Sequence, residues 1–197
     1  MKKIVALLLF LSLFLSASAQ YITGVNKTTL AQVHEQQKLS RDLYGVLDDK
    51  WGDPIFHTLS LAEGNHMEAI KGLLDELAVS DPVAHTGDVS GRFVHPRFQQ
   101  LYDSLVISGR SSLVEAFRAG AYLEEWDIHD LQRAVSGTGS DHLKATYKYL
   151  MLSAQQHLLA FARSLKRIGV QYAPVLLQRI DYDRIVGASG ASGSEKR

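Results

Sequence analysis

The sequence predicts an all-α protein, a four-helix bundle with one long connection. Apolar residues recur at helical spacing in four long stretches, and no stretch alternates in the manner of a β-strand. Clusters of glycine, proline and serine separate these stretches. The predicted helices span residues 28–50, 54–79, 111–135 and 141–168.

End signals support these helices. Thr28 or Thr29 is the candidate N-cap of the first helix, and Ser111 or Ser112 is that of the third. The second helix begins at a proline, which suits the first helical turn. Gly169 is expected to end the fourth helix.

The connection between the second and third helices is long. Residues 81–96 are rich in Gly, Pro and polar side chains, and a short helical segment is expected at residues 98–107. This length indicates a crossover and not a tight hairpin. Residues 170–186 are apolar enough to pack on the bundle as a C-terminal extension, and residues 187–197 are expected to be a disordered tail.

Residues 1–19 have the pattern of a secretory signal peptide. Lys2 and Lys3 precede an apolar stretch at residues 4–15, and small residues at 17–19 form the cleavage signal. A retained membrane anchor is the alternative, but the apolar stretch is short for a span. We therefore expect an exported protein, periplasmic or extracellular, without membrane contact after cleavage, whose single domain covers residues 20–186.

Composition narrows the chemistry. Lys plus Arg and Asp plus Glu both number 21, so no basic excess predicts a nucleic-acid partner. The chain has no cysteine, so any metal must be held by oxygen and imidazole nitrogen. It also lacks a glycine-rich phosphate loop and a nucleophile-elbow serine motif.

Polar residues interrupt the inward apolar stripe of every long helix. In the second helix a glutamate and a histidine are three residues apart, which puts both side chains on one face. The third helix contributes two carboxylates, and the first and fourth contribute an amide and an imidazole. The inward polar residues are Gln36, Glu63, His66, Glu124, Asp127 and His157.

Three carboxylates among these residues favour a bound cation. Unpaired charge in a core costs several kcal/mol, and no Lys or Arg lies in the middle of the stripes near Glu63, Glu124 and Asp127. We therefore predict that these carboxylates converge with His66, His157 and the amide of Gln36 on a divalent ion. A metal-free, closed hydrogen-bond network is the alternative.

Several sequence motifs occur in order along the chain: KLSRDLY at residues 38–44, KWGDPIF at 50–56, EGNHM at 63–67, LYDSL at 101–105, GAYLEEWDI at 120–128 and HLLAF at 157–161. The tail adds Tyr172, Pro174, Tyr182 and Ile185. Through these motifs and tail residues, the chain resembles the DUF2202 family of the ferritin-like superfamily.

The resemblance implies a ferritin-like bundle with a di-iron or di-manganese carboxylate site. Such sites take a Glu from each of two helices and an E-x-x-H pair from each of the others. Here Gln36 stands where family members usually have glutamates, and Ala154 precedes His157 by three residues. Asp127 is expected to substitute for one missing carboxylate. These departures leave open a single ion or a weak second site.

The functional expectation is an exported protein that binds one or two iron ions, with manganese or zinc as alternatives. With two irons, the chemistry expected is oxidation of ferrous iron by oxygen or peroxide. The alternative is a non-catalytic secreted binding module with a degraded or empty site. Pairing of bundles into a homodimer is left open.

Overall fold

The computed structural model describes residues 26–187, and this part of the chain is helical, without strands. The expected signal peptide at residues 1–19 and all but the first residue of the expected tail at 187–197 lie outside it. The seven helices are α1 (Asn26–Trp51), α2 (Pro54–Glu76), α3 (Pro82–His85), α4 (Pro96–Gly109), α5 (Leu113–Gly137), α6 (Asp141–Arg167) and α7 (Arg179–Gly187).

The prediction of a helical bundle is confirmed, with corrections at helix ends. The first helix already includes Asn26, so neither Thr28 nor Thr29 is its N-cap. Ser112 caps α5, its hydroxyl accepting from the backbone N–H of Glu115 at 3.1 Å. The short helix α3 and the helical form of residues 179–187 were not predicted.

Two helices end in the same hydrogen-bonded turn. After α6, the N–H of Val170 donates to the carbonyl of Leu165, and Gly169 has a φ of 79°. After α2, Val79 donates to Leu74 in the same way, but Ala78 takes the left-handed position with a φ of 49°. This Schellman turn ends α2 at Glu76, three residues before the predicted end, because its left-handed residue cannot continue a helix.

The four long helices form two antiparallel pairs. Loops of two and three residues join α1 to α2 and α5 to α6, so the members of each pair must run in opposite directions. The pairs meet where α1 packs on α5 and α2 packs on α6. Residues 77–112 cross between the pairs, and α4 within this crossover packs on α1 and α5.

Buried charges on α1 hold the crossover in place. Lys38 is fully buried, where it pairs with Asp42 and donates to the carbonyl of Val89 at 2.8 Å. Glu35 accepts from the backbone N–H groups of Val94 and His95. These contacts satisfy the buried charges and leave the other side of α1 for the bundle interior.

The apolar core consists of two clusters with polar residues between them. One cluster contains Tyr44, Phe56 and Phe161, and the other contains Leu30 and Ile70. Along α1 and α2, buried polar side chains separate the members of the two clusters. None of the helices in the described part of the chain combines the length and apolarity that a bilayer span requires.

Residues 170–187 pack against α5 and α6 through one buried carboxylate. Glu125, which points away from the bundle centre, accepts from the Tyr172 hydroxyl at 2.5 Å. It also accepts from the backbone N–H groups of Val175, Leu176 and Leu177 at 2.7–3.0 Å. Because four donors converge on it, this fully buried carboxylate is fully satisfied.

Candidate metal centre

Helices α2 and α6 bring one carboxylate between two imidazoles. Glu63 and His66 lie one turn apart on α2, and His66 Nδ1 is 3.0 Å from Glu63 Oε2. His157 of α6 approaches from the other side, with its Nδ1 2.9 Å from Glu63 Oε1. The two imidazole rings stack with centroids 6.1 Å apart. The E-x-x-H spacing of α2 therefore does place both side chains in one site.

Helix α5 adds a second carboxylate at the same point. Glu124 is fully buried, and its Oε1 lies 3.3 Å from His157 Nδ1. The same oxygen accepts a 2.5 Å hydrogen bond from the hydroxyl of Tyr44 on α1. The other oxygen, Oε2, is buried without a partner in the described part of the chain. Tyr44 thus orients one oxygen of Glu124 and leaves the other available.

Three donor groups converge within the bundle. Ligand atoms of Glu63, Glu124 and His157 all lie within 4.8 Å of one another, and all three residues are buried. His157 Nδ1 is near both carboxylates but forms no hydrogen bond of good geometry with any residue described. Buried polar atoms normally find partners, so two ligand atoms without hydrogen bonds in one cluster fit a bound cation. Oxygen and imidazole nitrogen together suit iron, manganese or zinc.

Burial and neighbouring charges shift the pKa values of Glu63, Glu124 and His157. Burial raises the pKa of Glu124, and the charge of Glu63 adds to this effect. Burial would likewise raise the pKa of Glu63, but the adjacent His157 and His66 outweigh it and hold that pKa below its ordinary value. Burial opposes the protonation of His157, yet the two carboxylates raise its pKa to about 11. Without an ion, a protonated His157 is the cation that balances this cluster.

Asp127 lies on the α1 side of the centre. Its Oδ1 accepts from Gln36 Nε2 at 2.7 Å, and its Oδ2 accepts from Ser40 Oγ at 3.2 Å and from Gln37 Nε2 at 3.4 Å. Burial, followed by the charges of Glu124 and Glu63, raises its pKa well above the ordinary value. Gln36 therefore contacts a carboxylate through its amide nitrogen, which is a donor and cannot bind a cation.

Comparison with known proteins assigns the chain to a family. The family described as "Uncharacterized protein domain (DUF2202)" matches residues 26–189, which includes every residue of the centre. The chain belongs to the DUF2202 family. It is also 35% identical over 181 residues to the uncharacterized protein MJ0754 of Methanocaldococcus jannaschii, a match that covers 92% of this chain and 97% of that protein.

A solved structure shares the DUF2202 fold. The crystal structure of the hypothetical protein MJ0754 from Methanococcus jannaschii DSM 2661 superimposes with a TM-score of 0.81 at 36% sequence identity. The match covers 84% of this chain and 94% of that one. The helical architecture described above is therefore shared with a solved structure.

The candidate centre of this DUF2202 protein differs in detail from the set expected from sequence. Of the expected ligands, Glu63, Glu124 and His157 converge, and His66 joins them through Glu63. Asp127 is engaged by the amides and the hydroxyl of α1. Tyr44 follows Gln37 by seven residues, about two turns, so helical phase already puts it beside the inward polar residues of α1. The sequence could not identify Glu124 as the acceptor of its hydroxyl.

Proposed function

We propose that this protein is a ferritin-like metal-binding protein that holds a divalent ion at Glu63, Glu124 and His157. The observation that carries the proposal is the convergence of three buried ligand groups within 4.8 Å. Two of their atoms, Glu124 Oε2 and His157 Nδ1, are buried without hydrogen-bond partners among the described residues. A cation between the three groups would satisfy both atoms at once.

The unpaired Glu124 Oε2 weighs against a metal-free network. A closed network should leave no buried acceptor unpaired, because each one costs about 1–3 kcal/mol, and this oxygen has no partner among the described residues. A degraded site should have lost convergence, yet Glu63, Glu124 and His157 still meet. The non-catalytic binding module is therefore the less favoured interpretation.

A second ion would draw on the groups around this core. His66 Nδ1 touches Glu63, while the pKa of Asp127 is raised by burial and by the charges of Glu124 and Glu63. Binding of two ions would require Asp127 to exchange its contacts with α1 for a metal. We propose one strong site and a weaker second one for this reason.

The ferritin-like assignment is supported by topology. Two antiparallel helix pairs joined by one long crossover form the connectivity of ferritin-like bundles, whose metal ligands project from facing helices into the core. The centre described above has its ligands on α2, α5 and α6, with α1 supplying Tyr44, Gln36 and Ser40 around them.

Iron is the proposed metal, with manganese and zinc as competitors. Ferrous iron bound here would supply the electrons for the reduction of oxygen or peroxide. Side chains of this protein would fix the orientation of the ligands: Tyr44 donates to Glu124, and Ser153 Oγ lies 3.3 Å from His157 Nε2. We also propose that the signal peptide at residues 1–19 directs export and that metal is loaded outside the cytoplasm. For the oligomeric state, we propose a homodimer.

Ferrous oxidation by the metal-loaded protein tests this proposal. We expect oxygen or peroxide to oxidise added ferrous iron faster with the wild type than in protein-free buffer, followed by the absorbance of ferric iron. Glu63→Gln/Glu124→Gln should abolish the difference, because it removes two ligand charges. Glu68→Gln, an exposed carboxylate on the same helix α2, is the matched control. Equal rates in the wild type and the double variant would refute the oxidase function.

A further inference from the structure

A cavity of about 250 Å³ opens beside the metal centre, between α1, α4 and α5. It shares one residue with the centre: Gln36 lines the cavity, and its Nε2 donates to Asp127. Two arginines and one carboxylate, Arg97, Arg133 and Asp130, also line it. The cavity is therefore positively charged in a chain whose acidic and basic residues are equal in number.

Arg97 is held in a fixed orientation at this cavity. Its guanidinium carbon lies 4.8 Å from the ring centroids of both Phe98 and Trp126. Its Nη2 donates to Asp130 Oδ2 at 2.7 Å, but its Nε is buried without a partner in residues 26–187. Asp130 thus satisfies only part of a preorganised guanidinium.

Arg133 supplies an unbalanced charge. It is exposed, and within the described residues it forms no ion pair. The single carboxylate of Asp130 is taken by Arg97, and the side chains of Gln32 and Gln36 in the lining are neutral. One positive charge therefore remains, which repels metal cations and attracts anions.

We propose that this cavity binds a small oxyanion, a carboxylate or a phosphate, through Arg97 and Arg133. Guanidinium groups match the geometry of such oxyanions, and the volume is below that of sites for drug-sized ligands, which begin at about 300 Å³. Gln36 forms the wall between the oxyanion and Asp127. The oxyanion site does not require an ion in the metal centre, so the two proposals can be tested independently.

The competing interpretation is an ordinary surface ion pair. A part-buried pair such as Arg97–Asp130 can form without a ligand. It would give Arg133 no role, whereas an oxyanion site requires that residue. Substitution of Arg133 therefore separates the two interpretations, and because this side chain is exposed, Arg133→Gln should leave the fold intact.

Titration of the chelator-treated protein with inorganic phosphate, and separately with acetate, tests the proposal. Binding is followed by calorimetry and by tryptophan fluorescence, because Trp126 packs on Arg97. We expect saturable binding to the wild type at constant ionic strength. Arg133→Gln should bind the anion at least about ten-fold more weakly than the wild type, because a charged hydrogen-bond donor is lost. Arg163→Gln, an exposed arginine of α6 outside this cavity, is the matched control.

Tighter binding of phosphate or of acetate identifies which oxyanion the cavity accepts. Binding that is weakened by Arg133→Gln and unchanged by Arg163→Gln supports the site. The proposal is overturned if neither anion gives a saturable signal, or if Arg133→Gln binds with the affinity of the wild type.

Discussion

A single methyl group added at Gly120 should disrupt the packing around the candidate centre. Gly120 lies on α5, and a Cβ atom built there would meet three ring atoms of Phe161 at 2.4–2.6 Å. Such distances are far below van der Waals contact, so either the ring or the helix must move. Phe161 is fully buried, with its centroid 5.4 Å from that of Tyr44 and 6.0 Å from that of Phe56.

The cost of Gly120→Ala follows from this confinement. Overpacking a dense core costs about 1–3 kcal/mol, and the fully buried Phe161 ring also packs against Tyr44 and Phe56. Gly72 on α2 is the matched control, since nothing lies within 4 Å of its added Cβ. There alanine should stabilise the helix by about 0.5–1 kcal/mol. The same helical gain applies at Gly120, so the two variants should differ by the overpacking cost alone, about 1–3 kcal/mol.

Urea unfolding of the metal-free proteins, monitored by circular dichroism, measures both variants. Gly120→Ala should unfold at a lower urea concentration than the wild type with an unchanged slope, and Gly72→Ala at a higher one. A shifted Phe161 would also displace Tyr44, which holds Glu124, so Gly120→Ala should weaken metal binding as well. If both alanine variants are equally or more stable than the wild type, the close packing of α5 on α6 is refuted.

Three further predictions concern the hydrogen bonds of the buried carboxylates. Tyr44→Phe removes the donor to Glu124 and should weaken metal affinity by about ten- to a hundred-fold, measured by chelator competition; an unchanged affinity would contradict the orienting role. Glu125→Gln replaces a carboxylate that accepts from Tyr172 and three backbone N–H groups, and should cost about 1.5–3 kcal/mol in urea unfolding; a neutral result would show that the C-terminal extension does not depend on this charge. The pKa of Asp127 is raised in the folded, metal-free protein. The stability linked to its protonation is fully present below the ordinary pKa of about 3.9 and is lost as the pH rises through the folded-state pKa. The free energy of unfolding should therefore fall more in the wild type than in Asp127→Asn from about pH 5 to about pH 8, and equal falls would count against the raised pKa.

The long helices were predictable because their signals are local. Apolar periodicity located α1, α2, α5 and α6, and Pro54, Ser112 and Gly169 marked three of their ends within a few residues. The end of α2 was missed because Ala78 takes a left-handed conformation usually occupied by glycine. Helix-end signals based on residue type do not identify an alanine in this conformation.

The centre was predictable to the extent that helical phase determines it. The phases of Glu63, Glu124 and His157 turned them inward, and the three meet. Phase alone could not determine which inward carboxylate the α1 side chains engage, because Gln36 and Asp127 are 91 residues apart in sequence. The partners of Glu125 were hidden for the same reason, since they lie about fifty residues further along the chain.

Sequence patterns also could not predict that one side of α1 buries charged residues against the crossover. Burial of charged residues is unfavourable unless they are paired, so Glu35, Lys38 and Asp42 would be expected on a solvated face. Their partners belong to the crossover, which folds over them. A buried lysine on this helix is therefore a feature of the tertiary structure and not of its periodicity.

Metal stoichiometry tests the central claim most directly. The purified protein is loaded with ferrous iron without oxygen, freed of loosely bound metal and subjected to elemental analysis beside Glu63→Ala/Glu124→Ala and the exposed control Glu68→Ala. We predict at least one tightly held ion per chain in the wild type and in Glu68→Ala, and none in the double variant. Retention of the same metal content by the double variant, or no metal in the wild type, would contradict the assignment of Glu63, Glu124 and His157 as a metal centre.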